Sequence, residues 1–370
     1  MIVGVPPVLP ELRTDIHLSF SATGALTAIP VLGLGLAAIP GALLVNRFGA
    51  RRVVAGAVGC AGAAALLRVA PPVPYSLFLW TAVLALSIAV AQPAVSVLIR
   101  TWFPDAVQRA STFYAMSLGL GGLAGASASV YLLLLGGWRG TFLIWGAIAL
   151  AAAVIWGLLA PGRGDQHQPQ PSGFARLMRD RDVWHVALLF GSQSLVYYGA
   201  GTWIPFLLRG YGHGYLALVL FLFQVVSPPL SILLIYLRGN WATSRRFYAT
   251  GGLLIMVGSG ALMSGLTGTA WIWAPLMGAG IGMIFVGATA LPALYAHRSA
   301  DVAGYSALVL TAGYVFSFLG PLLGGILLDH TGILASPFWV ITASGALALG
   351  LGATLPKRRP LSPVRAAPPV

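Results

Sequence analysis

The sequence predicts an all-α membrane protein of about eleven full-length helices arranged in two bundles, and three observations carry that prediction. The first is composition: of 370 residues, 58% are hydrophobic and 8% charged. Soluble domains carry about a quarter charged residues, and no soluble core buries so much apolar surface, whereas a bilayer does. The second is block length. Apolar blocks fall at 19–46, 53–70, 74–99, 108–136, 140–160, 183–208, 214–237, 247–267, 269–296, 302–328 and 333–355. Each approaches or exceeds the roughly 20 residues a helix needs to cross a bilayer. They are apolar on nearly every face, unlike the roughly ten-residue alternating strands of a membrane barrel. The third is the placement of basic residues, which follows the block order.

With the blocks numbered as spans 2 to 12, loops on one side hold Arg47, Arg51 and Arg52, then Arg100 and Arg109, then Arg163, Arg176, Arg179 and Arg181. The same side takes Arg238, Arg245 and Arg246, then Arg298, then Lys357, Arg358, Arg359 and Arg365. The opposite side holds only Arg13, Arg68, Arg139 and Arg209, which completes the 21 Lys and Arg. Such asymmetry marks the rich side as cytoplasmic. It predicts a multi-pass protein of the inner (plasma) membrane with its central linker and C-terminus in the cytoplasm.

Ahead of span 2, the segment Met1–Pro10 leads into the charged loop of Glu11, Arg13, Asp15 and His17. At about 15 Å as a helix it is too short to cross. It reads as the outer half of a truncated span 1, so the expected plan is six plus six. Residues 1–160 form the N-terminal bundle, 161–182 a linker, 183–356 the C-terminal bundle and 357–370 a basic tail. Within the linker, Pro161–Ser172 is rich in Pro, Gln and Gly. Phe174–Asp182 alternates apolar and charged residues, which predicts a short interfacial helix. The loops after spans 2 and 8 read NRFGARR (46–52) and RGNWATSRR (238–246). Arg-rich turns at equivalent places in two halves indicate a repeat transporter.

Several function classes are excluded. The net charge of +13 does not mean nucleic acid, because the aromatics sit inside apolar blocks instead of interleaving with a basic stripe. Cys60 is the one cysteine; it forms no internal disulfide and reads as a packing residue. The N-terminus shows no basic leader or small-residue cleavage site. Lys357 is the one lysine and lies in the tail, so no P-loop is present. HExxH and GxSxG are absent, and neither a metal nor a cofactor is implied. A membrane enzyme or a sensor thus lacks its chemistry or its output domain, and a channel lacks a continuous polar stripe. The carboxylates Glu11, Asp15, Asp105, Asp165, Asp180, Asp182, Asp301 and Asp329 all lie at loops or helix ends. That argues against a buried carboxylate relay; a coupling proton would use His185 or ride on the substrate, and facilitated diffusion is the alternative.

Polar groups at mid-membrane are costly and therefore candidates for function. In span 7, Gln193 with Tyr197 and Ser194 with Tyr198 are each four apart and share a helix face. Pro205 removes a backbone donor and frees the carbonyl of Gly201, which predicts a bend. Gln92 beside Pro93 in span 4, Tyr114 in span 5, Gln224 in span 8 and Tyr314 in span 11 complete the substrate-binding candidates. Arg100 lies nearer the inner interface, where snorkelling competes with an anion-attracting role. The glycine runs Gly119–Gly125 and Gly313–Gly325 occupy equivalent spans and predict close helix contacts.

The loop after span 2 resembles the major facilitator signature Gly-x-x-x-Asp-Arg-x-Gly-x-Arg-Arg, standing here as Ala42, Asn46, Arg47, Gly49, Arg51 and Arg52. Ala42 and Asn46 replace the opening Gly and the Asp. The resemblance implies the major facilitator fold, with Asn46, Arg47, Gly49, Arg51 and Arg52 at the inward gate and a weaker brace at Asn46. Nearly the whole chain is also similar to the cyanate and nitroimidazole transporter branch. The stretch VPPVLPELRTDIHLSFSATGALTAIPVLGLGL matches the end of that branch's first helix and its second. Span 7 carries its QSxxYYxxxxWxP spacing at Gln193, Ser194, Tyr197, Tyr198, Trp203 and Pro205. Span 11 carries Ser306, Gly313, Tyr314, Gly320, Pro321, Gly325, Asp329, Thr331 and Gly332. The branch's Arg-bearing motif in the first half of span 1 is absent, and Leu310 stands where a Gln is common. The expected activity is secondary active or facilitative transport of a small polar or anionic organic solute by alternating access, as a monomer in the bilayer. Efflux of a drug or nitro-heterocycle is the alternative.

Overall fold

A computed structural model describes residues 2–36, 38–71, 73–162, 174–236, 241–295 and 301–356. Most of the linker, the basic tail with Lys357, and Arg163, Asp165, Arg238 and Arg298 lie outside the described residues. The helices are α1 (Leu9–Asp15), α2 (Phe20–Leu36), α3 (Ala38–Phe48), α4 (Ala50–Leu67), α5 (Val73–Trp102) and α6 (Val107–Leu159). After the linker come α7 (Phe174–Leu177), α8 (Arg181–Leu207), α9 (His213–Val225), α10 (Ser227–Tyr236) and α11 (Arg245–Met263). The last four are α12 (Ala270–Tyr295), α13 (Asp301–Ser317), α14 (Leu319–Thr331) and α15 (Pro337–Ala353). No strand occurs among the described residues, as expected where the solvent offers no partner for a free backbone group.

Among the described residues six helical runs are long and apolar enough to cross a membrane by length and composition. Eleven blocks were expected. The number falls because α6 joins two blocks into one run, Phe20–Leu36 and Pro337–Ala353 are apolar but shorter, and α8 and α11 are long enough but less apolar. The expected break between spans 5 and 6 is nevertheless there, as non-helical backbone at Gly136 and Gly137 inside α6. Gly137 has φ 60°, and a Cβ there would lie 2.7 Å from Glu11 Oε1. Only glycine meets both demands.

That turn is clamped by α1. Glu11 accepts the Trp138 backbone N–H at 3.3 Å. Asp15 accepts the Trp138 indole N–H and an Arg139 N–H, each at 2.8 Å. The Trp138 hydrogen bond, with Arg139 beside it, holds the Asp15 carboxyl below its ordinary range. Arg68, expected in an outer loop, is instead buried as the C-cap of α4, its guanidinium 5.3 Å from the Phe142 ring centre. The expected interfacial helix of the linker is confined to the four residues of α7. It ends early because Asp180 caps α8 by accepting the Asp182 N–H at 2.9 Å, which starts α8 at Arg181.

Within the N-terminal helices α4 packs on α5 and α6; within the C-terminal helices α11 packs on α12 and α15, and α8 on α13 and α15. Two main seams join the sets, α2 against α13 and α14 and α6 against α9, and α8 also touches α1 and α2.

Candidate functional site

The middle of α8 faces both α9 and α13. Tyr197 donates its hydroxyl to Gln224 Oε1 of α9 at 3.1 Å and stacks on Phe223, ring centres 6.0 Å apart. Tyr198, one residue on, turns toward α13: its ring lies 5.0 Å from that of Tyr197 and 6.5 Å from that of Tyr314. Phe190, two turns earlier on α8, closes against Tyr314 edge-on at 5.3 Å. One helix thus gathers two neighbours into a patch of three tyrosines and an amide. Tyr114 of α6 is half-buried and makes no hydrogen bond or ring contact with these residues among the described residues. Gly122 of the same helix sits opposite the Tyr197 hydroxyl, at 4.0 Å from its ideal Cβ position.

Two expected members stand apart. Gln193 is 1% exposed, and its amide donates to Ser194 Oγ at 2.6 Å. It is sealed among helices in this conformation and does not line open space. Gln92 of α5 is half-buried, and its side chain makes no hydrogen bond among the described residues. His185 lies two turns before Gln193, with Nε2 2.9 Å from the Leu351 carbonyl of α15. Pro205 lies buried in the last turn of a helix that runs unbroken to Leu207.

Beyond the patch, on the side of Arg13 and Arg209, the sets are drawn together by residues to which spacing assigned no role. The Asp329 carboxylate near the end of α14 accepts the backbone N–H groups of Phe20 at 2.9 Å and Ser21 at 2.7 Å. These belong to the first turn of α2, whose N–H groups have no partner within their own helix and whose positive end favours a carboxylate. Phe20 then plugs the seam, its ring 5.7 Å from Phe206 and 6.5 Å from Trp203, with the Arg13 guanidinium 3.6 Å above it. Thr27 and Thr202 bring their hydroxyls within 3.1 Å across the seam. A Cβ on Gly24 would sit 2.3 Å from the Pro321 carbonyl oxygen, and one on Gly325 equally close to that of Phe20. Sequence offered two hints of this seam, the glycine run that ends at Gly325 and the acidic Asp329 of the same span.

At the opposite, arginine-rich end, Gly49 links α3 to α4 with φ 84°. Arg51 donates to the Gly157 carbonyl at 2.9 Å and accepts the Trp156 indole N–H at 3.2 Å through its own carbonyl. Arg47 lies 5.1 Å from the Phe48 ring centre. Asn46 Oδ1 is buried without a hydrogen bond among the described residues. The loop is therefore tied to the end of α6, within its own set.

Residues 1–318 match the model of the Major Facilitator Superfamily. The 2-nitroimidazole transporter of Escherichia coli (strain K12) is 30% identical over 363 residues, covering 94% of this chain and 88% of that protein. The cyanate transport protein CynX of the same organism is 23% identical over 343 residues, covering 90% and 87%. Among solved structures, a bacterial homolog of the human lysosomal transporter Spinster, inward-facing and occupied, gives a TM-score of 0.74 at 16% identity, covering 96% of this chain and 92% of that one. At that identity the likeness is one of fold. The chain belongs to the Major Facilitator Superfamily of membrane transporters.

Proposed function

We propose that this transporter carries a small planar organic solute by alternating access, held between Tyr197, Tyr198, Gln224 and Tyr314. The observation that carries the reading is the meeting of three tyrosine rings and an amide near the middle of α8, below a seam that closes the outer end. Aromatic faces stack on a planar ring, while the hydroxyls and the amide supply donors and acceptors at its edge. These groups are neutral, which suits an uncharged or weakly ionised ring better than a compact anion. Tyr114, Gln92 and Gln193 are assigned to the surrounding wall, reached as the helices rock.

The arginine loop of Asn46, Arg47, Gly49, Arg51 and Arg52, with Pro205 at the far end of α8, is assigned to gating. In this reading the two halves are 1–160 and 183–356, the arginine-rich end is cytoplasmic in the inner membrane, and the protein acts as a monomer. With no carboxylate in the patch, a proton would enter with the solute or through His185. Export of a nitro-heterocycle is a second reading, supported by the relative named for 2-nitroimidazole; accumulation against expulsion of labelled solute in cells separates the two directions.

The experiment is ligand-induced thermal stabilisation of purified protein, using 2-nitroimidazole and cyanate as probes. The reading expects 2-nitroimidazole to stabilise the wild type and Gln224→Leu to lose that effect. Equal stabilisation of the variant, with Gln193→Ala as a second control, would place the solute elsewhere; stabilisation by cyanate alone would favour the compact-anion class.

A further inference from the structure

We propose that the groove between α3, α4 and α5 binds one anionic phospholipid of the leaflet at the arginine-rich face, its phosphate on Arg52 and an acyl chain along the groove. The groove opens on the outside of the bundle and encloses about 510 Å³, the size of a site for a small organic ligand. Its walls are apolar: Leu44 and Phe48 of α3, Val53 and Ala57 of α4, Leu86 and Val90 of α5. A Cβ built on Gly56 would meet no atom within 4 Å, so the middle of the groove is open space. Arg52 stands at one end and Cys60 two turns deeper on α4. Those eight residues span about 12 Å, close to the roughly 15 Å depth of hydrocarbon in one leaflet.

Charge complementarity selects the occupant. Arg51 is occupied by the Gly157 carbonyl and Arg47 lies over Phe48. Arg52 is exposed and makes no hydrogen bond or ion pair among the described residues. A free phosphate would gain the charge but not the walls, and a zwitterionic lipid the walls but no net charge. A phosphatidylglycerol-type lipid satisfies both, because a single arginine at a membrane surface favours anionic lipid about fivefold. The site lies on the periphery of the N-terminal helices and does not depend on which solute is transported.

Cys60, the one cysteine and exposed in the groove, reports occupancy directly. Purified full-length protein in neutral detergent would be titrated with dioleoyl phosphatidylglycerol, dioleoyl phosphatidylcholine or inorganic phosphate while the rate of maleimide addition to Cys60 is followed. The expected result is protection by phosphatidylglycerol at about one-fifth the mole fraction phosphatidylcholine requires, none by phosphate, and loss of the lipid preference in Arg52→Gln. Equal protection by both lipids in the wild type, or an undiminished preference in Arg52→Gln, would overturn the proposal. Should Arg52→Gln fail to fold, Gly56→Leu puts a side chain into the groove from a position where a Cβ meets no atom within 4 Å. Native mass spectrometry should then show its retained phosphatidylglycerol lost, and unchanged retention would equally refute the site.

Discussion

In the topology proposed above, the outer end of the interface between the two halves and its arginine-rich end are built from different chemistry. At the outer end α2 and α14 meet backbone to backbone at Gly24 and Gly325, Asp329 caps α2, and Phe20 seats against Phe206 and Trp203. At the arginine-rich end α3 packs on α4 and α5, and α10 on α9 and α12, each within its own half; Leu43 of α3 and Leu233 of α10 are exposed. Directional, short-range bonds close one end, whereas charge and tethering to α6 organise the other.

The same contrast separates the glycine runs. Both were expected to make close helix contacts, and Gly313, Gly320, Gly324 and Gly325 do so. On α6, Gly121 faces open space and the nearest atom to a Gly119 Cβ is Pro228 Cγ at 3.4 Å. This face of α6 thus has slack where the α2–α14 seam has none, and at Gly122 it borders the Tyr197 patch.

Breaking the tight seam should have the largest effect. Gly24→Val places a side chain where the Pro321 carbonyl now sits. Overpacking of this kind costs about 1–3 kcal/mol, here charged to the closed outer end alone. Transport should fall by about fivefold or more while the helical circular dichroism stays unchanged. The same substitution at Gly121 should leave transport near wild type.

Removing the cap comes next. Asp329→Ala frees two N–H groups at the start of α2, and such losses cost about 0.5–2 kcal/mol. The closed outer end should lose between twofold and thirtyfold of its population, read as faster labelling of a cysteine at Thr23 in a Cys60→Ser background. In the patch, Tyr197→Phe removes one hydrogen bond of about 1 kcal/mol, so solute affinity should drop roughly fivefold without any change in labelling at Thr23.

The smallest effect belongs to pH. The Asp15 carboxyl is held below its ordinary value by Trp138 and Arg139. Its contribution to stability is therefore full above the unfolded carboxylate range near 4 and is lost as pH falls through the lowered folded value. Wild type and Asp15→Asn should differ in thermal midpoint at pH 7, and the difference should shrink toward pH 3.

Much of this was legible in the sequence because lipid imposes strong rules. Block lengths, the Gly49 turn, the Gly136–Gly137 break and the arginine asymmetry all follow from spanning a bilayer. The four-residue spacing paired Gln193 with Tyr197 and Ser194 with Tyr198; in the structure Tyr197 meets Gln224 and Tyr198 meets Tyr314. What spacing could not say is which neighbour each face meets. A helix that is apolar all round has no stripe to orient it, so Gln193 and Tyr197 looked equivalent until packing buried one against Ser194. The bond from Asp329 to Phe20 joins residues 309 apart, and no local pattern encodes a partner at that distance.

The central claim is that this conformation is shut at the outer end and free at the arginine-rich end. Spin labels at Thr14 and Ile333 report the outer end and labels at Leu43 and Leu233 the other, both pairs in Cys60→Ser protein reconstituted in lipid. Pulsed dipolar spectroscopy should give one narrow, short distance for the outer pair, which lengthens in Asp329→Ala as the Leu43–Leu233 distance shortens. An outer distance that is broad in the wild type and indifferent to Asp329 would contradict the account.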